Sequence, residues 1–178
     1  MSAVAAFLAR RGVLLALVVS TLACIALFQA DASPAASAHF IAHTGAPPFD
    51  ERAQGYRVSD MARALALLGP EGLAQYRAYR LVDVFFPWLL AGLVAAVMVR
   101  LQAAVAMPLA LLAALADTAE NVALYVLLGQ GAAISPPLVQ WASVLTQLKF
   151  AVYTLMLGGL LWGGARHLWR QARARPLR

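Results

Sequence analysis

Charged residues are scarce in this sequence. Only 12% of its 178 residues are Asp, Glu, Lys or Arg, against about 25% in typical soluble domains. Hydrophobic residues make up 62%, and the mean hydropathy is +0.73. This composition excludes an ordinary soluble globular domain and indicates an integral membrane protein. We predict a single transmembrane domain over residues 1–178.

Cysteine is also scarce. Cys24 stands alone, which excludes an intramolecular disulfide and a thiolate metal site. His39 and His43 have the spacing of a metal-binding pair, but the Glu of His-Glu-x-x-His is missing. Gly129-Gln130-Gly131 lacks the rest of a phosphate-binding loop. We therefore predict no metal and no cofactor.

Acidic residues are few: eight, against 14 basic residues, for a net charge of +6. The arginines flank hydrophobic segments and form no stripe with interleaved aromatic residues, so we predict no nucleic-acid partner. Membrane lipids with anionic headgroups are the expected partners. Every basic residue except Lys149 is an arginine, and with the abundant Ala, Gly and Pro this usage is typical of GC-rich bacteria.

Hydrophobic runs give the fold class. Each candidate span exceeds the roughly 17 residues that a membrane-spanning helix needs. The predicted spans are residues 13–30, 81–99, 108–128 and 138–164. We predict an all-α membrane protein with these four helices in an up-down bundle.

Arginine placement gives the orientation. The flank before the first span, the loop 100–106 and the basic tail 165–178 hold eight of the 14 basic residues and no acid. The positive-inside rule places these segments in the cytoplasm and residues 31–80 outside. We predict a multi-pass protein of the bacterial inner (plasma) membrane with both termini cytoplasmic.

The first span has two interpretations. A positive N-terminal flank, an apolar core and Ala30-Asp31-Ala32 or Ala36-Ser37-Ala38 also describe a cleavable signal peptide. The predicted core 13–30 is longer than the roughly 7 to 15 residues typical of a signal, which favours a retained helix. Both alternatives leave the remaining topology unchanged.

The external segment divides into a loop and a helix. Residues 31–55 are rich in Ala, Ser, Pro and Gly without a period, which predicts an irregular loop. Residues 59–68, stopped by Gly69-Pro70, predict a short amphipathic helix with three apolar residues on one face, Met61, Leu65 and Leu68. A further helix is expected to begin near Pro70 and to continue into the second span.

Polar residues interrupt the third span. Asp117, Glu120 and Asn121 occupy positions i, i+3 and i+4 and share one stripe. An ionised side chain at the middle of a bilayer costs about 2.5 to 3.5 kcal/mol. This stripe must therefore face protein or water.

The only lysine lies at the same depth. At 1.5 Å per residue, Asp117 and Lys149 are each roughly 16 Å from the external ends of their spans, and Glu120 is roughly 12 Å. We predict that Lys149 pairs with Glu120 or Asp117 and that one surplus carboxyl group holds a proton. Thr146 and Tyr153 share the helix face of Lys149.

Asp83 lies near the external edge of the second span, at about the height of Tyr125. Pro87 frees the Asp83 carbonyl from a helical hydrogen bond. Together the polar residues predict a pocket open to the outside, with Arg80 near its mouth. The predicted ligand-binding residues are Asp83, Asp117, Glu120, Asn121, Tyr125, Thr146, Lys149 and Tyr153.

Three functions are compatible with this pattern. The first is a pocket for a small amphiphile or lipid; if it is an enzyme, Glu120 or Asp117 would transfer a proton and Lys149 would stabilise negative charge. The second is a structural or accessory membrane subunit whose cluster only fixes helix packing. The third is a component of a proton-coupled transporter. The sequence leaves open whether a second copy or a membrane partner completes the site.

The series Tyr76, Asp83-x3-Pro87, Asp117-x2-Glu120-Asn121 and Thr146-x2-Lys149 resembles a family of small, uncharacterised bacterial four-helix integral membrane proteins. The likeness covers residues 59–160. It implies the four-helix fold and its topology, and it brings no established activity.

Overall fold

The computed structural model describes residues 3–30, 37–101, 106–131 and 133–174. The regular elements in these ranges are helical: α1 (Ala3–Leu8), α2 (Arg11–Gln29), α3 (Ser37–Thr44), a 3₁₀ turn (Phe49–Glu51), α4 (Val58–Asp83), α5 (Phe86–Arg100), α6 (Met107–Gly129) and α7 (Pro136–Ala174). Parts of the sequence predictions lie outside the described residues, namely Asp31, Ala32 and Ala36 of the signal-processing sequences, loop residues 102–105, and Arg175 and Arg178 of the tail.

Four helical stretches are long and apolar enough to cross a membrane: Arg11–Gln29, Val58–Arg100, Met107–Gly129 and Pro136–Arg173. For the described residues, the prediction of an all-helical protein with four candidate spans is therefore confirmed, and it indicates a multi-pass membrane protein. In the described part of the chain, α2 packs on α5, α5 on α6, and α6 on α7. α6 also contacts α4, so it packs against α4, α5 and α7.

The core has two parts. One lies where the segment before α4 meets α4, α6 and α7, and includes Phe49, Met61 and Leu127. The other joins α5, α6 and α7 around Met98 and Met156. α6 contributes residues to both regions, and its polar residues fall between these two sets along the sequence.

The N-terminal helices are attached to α5 at two levels. A Cβ on Gly92 would lie 3.2 Å from Leu17 Cδ2, so the glycine allows close packing of α2 on α5. At the other end, the Arg100 guanidinium donates hydrogen bonds to the carbonyls of Leu8, Ala9 and Arg10 at 2.7, 3.0 and 2.8 Å. Leu8 and Ala9 lie at the end of α1, where carbonyls run out of helical partners, whereas the Arg10 carbonyl also accepts the Leu14 N–H.

α4 bends at Gly69, which adopts φ 61° and ψ −175°. Pro70 then begins its second half, so the predicted break at Gly69-Pro70 is found. As predicted, the second half of α4 continues into the second span 81–99, although only for its first three residues. It ends at Asp83, and α5 begins at Phe86, because Pro87 lacks the N–H that would bond to the Asp83 carbonyl.

Two segments are more regular than their sequences predicted. Residues 37–51, expected to be irregular, contain α3 and the 3₁₀ turn. Aromatic packing orders this segment: the centre of the Phe40 ring lies 4.5 Å from that of Tyr76 in α4 and 5.6 Å from that of Phe49. α7 runs past the predicted span end at 164 through Ala174, because Ala, Leu, Arg and Gln are good helix formers.

Candidate functional site

Acidic, hydroxyl and lysine side chains of α6 and α7 meet in one buried cluster. Lys149 Nζ lies 2.6 Å from Glu120 Oε2 and 3.6 Å from Asp117 Oδ1. Tyr153 Oη donates a hydrogen bond to Asp117 Oδ2 at 2.9 Å. The Thr146 hydroxyl donates to the second oxygen of Glu120. The structure therefore brings the lysine to both acids.

A second cluster surrounds Arg80 near the end of α4. Arg80 Nη2 lies 2.6 Å from Asp50 Oδ1, and Nη1 lies 3.5 Å from Asp83 Oδ2. The guanidinium carbon lies 4.3 Å from the centre of the Tyr79 ring, within range of a cation–π interaction. Tyr79 Oη donates to Asp50 Oδ2 at 2.9 Å. Arg80 itself is only 1% exposed.

Asn121 connects the two clusters. Its Oδ1 accepts a hydrogen bond from Arg80 Nη1 at 2.8 Å, and its Nδ2 donates to Asp117 Oδ1 at 3.1 Å. A side-chain amide can contact a cation and an anion at the same time because one end accepts and the other donates. One hydrogen-bonded network thus runs from the loop before α4 through α4 and α6 to α7.

The network has more carboxyl groups than cations. It contains half of the chain's eight acids but two basic side chains, Arg80 and Lys149. The four acids are all buried: Asp50, Asp83, Asp117 and Glu120. Within the described ranges, no other Lys or Arg forms an ion pair with these four acids. The network therefore has either an excess of negative charge or protons on some of its carboxyl groups.

The loop that carries Asp50 is packed tightly against α7. The Tyr56 N–H donates to Ser143 Oγ at 2.9 Å. Gly55 has φ +79°, and a Cβ there would lie 2.4 Å from Gln147 Nε2 and 2.5 Å from Ser143 Oγ. A side chain at position 55 would therefore collide with α7, so the close approach of the loop requires glycine.

Asp50 is ionised at neutral pH. Burial opposes its ionisation, but the charges of Arg80 and Lys149 and the hydrogen bonds from Arg80 and Tyr79 hold the pKa of its carboxyl group below the ordinary value. The carboxylate can then anchor the loop to Arg80 through a charge-assisted contact.

A groove of about 220 Å³ opens between α4 and α6. Its lining includes Arg80 and Asn121, which are both about 1% exposed. Its walls are mainly apolar and include Leu81, Val84, Val122, Tyr125 and Val126. The groove is thus largely apolar, and its lining includes the two residues that connect the clusters.

Most of the predicted ligand-binding residues meet within this network. Asp83 joins it through Arg80, whereas Tyr125 lies in the groove wall and is 49% exposed. Of the catalytic candidates, Lys149 contacts both Asp117 and Glu120, and none of the three is among the residues that line the groove. Their roles in binding or catalysis stay predictions.

Asp50 and Tyr79 were not among the predicted site residues. Asp50 lies in a segment whose composition predicted an irregular loop, and no spacing in the sequence connects it with Arg80. A signal was available in α4, where Tyr76, Tyr79 and Arg80 occupy i, i+3 and i+4. That spacing places two aromatic rings beside one guanidinium on a single helix face.

Comparison with known proteins gives no match: no family model, no curated protein and no solved structure is similar to this chain. Any functional conclusion must therefore come from the geometry of the site.

Proposed function

We propose that this chain is a multi-pass protein of the bacterial inner membrane that binds a small amphiphile or lipid in the groove between α4 and α6. The observation that carries the proposal is an apolar groove whose lining also includes the buried residues Arg80 and Asn121. An amphiphile has the matching parts, with an apolar chain for the apolar side chains and a polar group for the side of the groove where Arg80 and Asn121 lie.

The size of the groove sets how much of the ligand it holds. A volume of about 220 Å³, at roughly 30 Å³ for each water-sized group, accommodates a polar group and the first few carbons of a chain. The rest of the chain would lie among the acyl chains of the bilayer, against Leu81 and Val122, which are 58% and 57% exposed.

The excess of carboxyl groups argues against a network that only packs helices. Burying charge without a counter-charge is costly, and apolar side chains often replace buried ion pairs without loss of stability. Helix packing alone requires neither the additional acids nor a groove that reaches Arg80. The packing alternative has its own support, because Thr146, Lys149 and Tyr153 all bond inside the cluster.

The topology of the proposal follows from the flanking arginines. We place both termini in the cytoplasm, the segment 31–80 outside, and the four spans in up-down order. The first half of α4 would then be an amphipathic helix on the external side. Asn121 and Tyr125 lie roughly 12 and 6 Å from the C-terminal end of α6. The groove would therefore open in the external half of the membrane.

We also propose that α2 is a retained span and not a cleaved signal peptide. Its support is the contact of Leu17 with Gly92 and the three hydrogen bonds from Arg100 to the chain before α2. Membership in the family of small four-helix bacterial membrane proteins belongs to the same proposal, with Asp83, Asp117, Glu120 and Lys149 as its motif residues.

Filling the groove with a large side chain tests the proposed function. Val122→Trp adds bulk to the groove wall, whereas Leu115→Trp adds the same ring to an exposed part of α6 outside the groove. Native mass spectrometry of protein extracted from membranes would measure bound lipids and amphiphiles. We expect Val122→Trp to reduce ligand occupancy at least about tenfold, and Leu115→Trp to retain it. Equal ligand content in the three proteins, or none in the wild type, would contradict the proposal and favour the packing alternative.

A further inference from the structure

A pocket of about 200 Å³ lies where the end of α3 and the loop after it meet the first half of α4. The loop contributes Arg52 to its lining, and α4 contributes Asp60 and Arg63. This pocket shares no lining residue with the groove between α4 and α6, and polar atoms make up most of its lining. We propose that it is a second binding site and that it holds a phosphate group between Arg52 and Arg63.

The guanidinium of Arg52 is fixed by two contacts within its own loop. Its Nε donates a hydrogen bond to the Pro47 carbonyl at 2.9 Å. Its central carbon lies 4.4 Å from the centre of the Phe49 ring, which is a rigid support because Phe49 is fully buried. Among the described residues, Nη1 and Nη2 of Arg52 have no hydrogen-bond partner, and neither is enclosed by protein atoms. The two terminal nitrogens are therefore oriented and available to a ligand.

Arg63 supplies the second cation of the pocket. It is exposed on α4, and every ion pair among the described residues involves Arg80 or Lys149 instead. Asp60 is the one acid in the lining, and its Oδ2 accepts the Arg57 N–H at 2.7 Å. The lining thus has one more cation than anion, and both guanidiniums are without a carboxylate partner.

The donor set favours phosphate over other polar groups. A guanidinium has N–H donors and no acceptor, so an amine finds no partner on Arg52 or Arg63. A carboxylate has two oxygens, which a single guanidinium can engage, whereas the additional oxygens of a phosphate can bond to two guanidiniums at once. At roughly 30 Å³ for each water-sized group, a volume of about 200 Å³ holds a phosphate and a few atoms of its substituent.

Phosphate of this kind occurs in the headgroup of a phospholipid and in soluble phosphates, and three probes separate these sources. They are inorganic phosphate, dihexanoyl phosphatidate and dihexanoylglycerol, of which the last two differ by the phosphate group. Binding would be measured by calorimetry at pH 7 on full-length, delipidated protein in a maltoside detergent without phosphate. We expect phosphatidate to bind at least about tenfold more tightly than dihexanoylglycerol.

Arginine variants assign the binding to this pocket. Arg63→Gln removes a side chain that makes no polar contact with described residues, so the fold should persist while phosphatidate binding weakens at least about fivefold. Arg52→Gln should have a similar effect. Arg57→Gln is the matched control, because it removes the same charge from a neighbouring exposed side chain outside the lining, and it should retain the binding.

The outcomes distinguish the source of the phosphate and the failure of the proposal. Tighter binding of phosphatidate than of inorganic phosphate identifies a lipid headgroup, and equal binding identifies a soluble phosphate, provided that both depend on Arg63. Equal binding of phosphatidate and dihexanoylglycerol, or equal losses in Arg63→Gln and Arg57→Gln, would overturn the site. Val122→Trp fills the other groove and should leave the phosphate-dependent binding intact. Its loss in that variant would place the phosphate in the groove and would also overturn the proposal.

Discussion

The side-chain amide of Asn121 lies between Arg80 and Asp117. Its oxygen is 2.8 Å from Arg80 Nη1, and its nitrogen is 3.1 Å from Asp117 Oδ1. This residue connects the ion pairs around α4 with those between α6 and α7. A change at this one position therefore affects the charges on both sides of it.

Replacement of Asn121 by Leu tests that connection. Leu has a similar size but neither accepts from Arg80 nor donates to Asp117, so two buried charged groups each lose a partner. We expect the free energy of unfolding to fall by about 2 to 4 kcal/mol, measured by denaturant unfolding in detergent with tryptophan fluorescence. Val122→Leu, at the exposed neighbouring position, should change it by less than about 0.5 kcal/mol. An unchanged free energy in Asn121→Leu would show that the connection does not stabilise the fold.

The pair of Lys149 and Glu120 is suited to a double-mutant cycle. Lys149→Leu alone leaves Glu120 buried without its cation, and we expect a loss of about 3 to 5 kcal/mol. Glu120→Leu combined with Lys149→Leu should recover much of that loss, because both charges are then absent. The free energies of unfolding of the four proteins give the coupling directly. A coupling near zero would contradict an ion pair at the 2.6 Å separation of Nζ and Oε2.

The α6 and α7 half of the network could be predicted because its information is local. Asp117, Glu120 and Asn121 form one stripe within five residues, and helix rise alone places Lys149 at a matching depth. Hydrophobic length identified the spans for the same reason. The break at Gly69 followed from a glycine and a proline in succession.

The contact between Arg80 and Asp50, in contrast, depends on packing that no local pattern contains. Asp50 reaches Arg80 because the neighbouring Phe49 is buried against Tyr76 of α4: the ring centres are 6.5 Å apart, and the Phe49 N–H donates to Tyr76 Oη at 3.3 Å. Those contacts join segments far apart in the chain, and they convert a sequence rich in Pro, Ala and Gly into an ordered structure. Tertiary packing here overrides the local composition.

Gly55 and Gly45 form a matched pair for testing whether the loop that carries Asp50 packs against α7. Both have positive φ, +79° and +69°, but a Cβ at Gly55 would collide with Ser143 and Gln147, whereas Gly45 has nothing within 4 Å. Each Ala substitution introduces backbone strain of roughly 1 kcal/mol, and only Gly55→Ala adds the collision. We expect trypsin to cleave after Arg52 and Arg57 at least several-fold faster in Gly55→Ala than in Gly45→Ala. Equal cleavage rates would show that the loop does not pack on α7.

The attachment of this loop should weaken in acid because Asp50 must become protonated. Burial raises the pKa of Asp50, but the charges of Arg80 and Lys149 lower it more and hold it below the ordinary value of 3.8. A carboxyl group with a lower pKa in the folded state stabilises the fold above its unfolded pKa, and this contribution is lost as the pH falls through the folded pKa. Asp50→Asn should therefore lower the free energy of unfolding most at neutral pH, and its difference from the wild type should shrink below pH 3.8.

Glu51→Gln is the matched control. Burial, followed by the charge of Asp50, raises the pKa of Glu51, so its ionised carboxylate does not stabilise the folded state as that of Asp50 does. Neutralising Glu51 should not destabilise the protein at pH 7, and a constant difference between Asp50→Asn and wild type from pH 7 to 3 would contradict the anchoring role of the carboxylate.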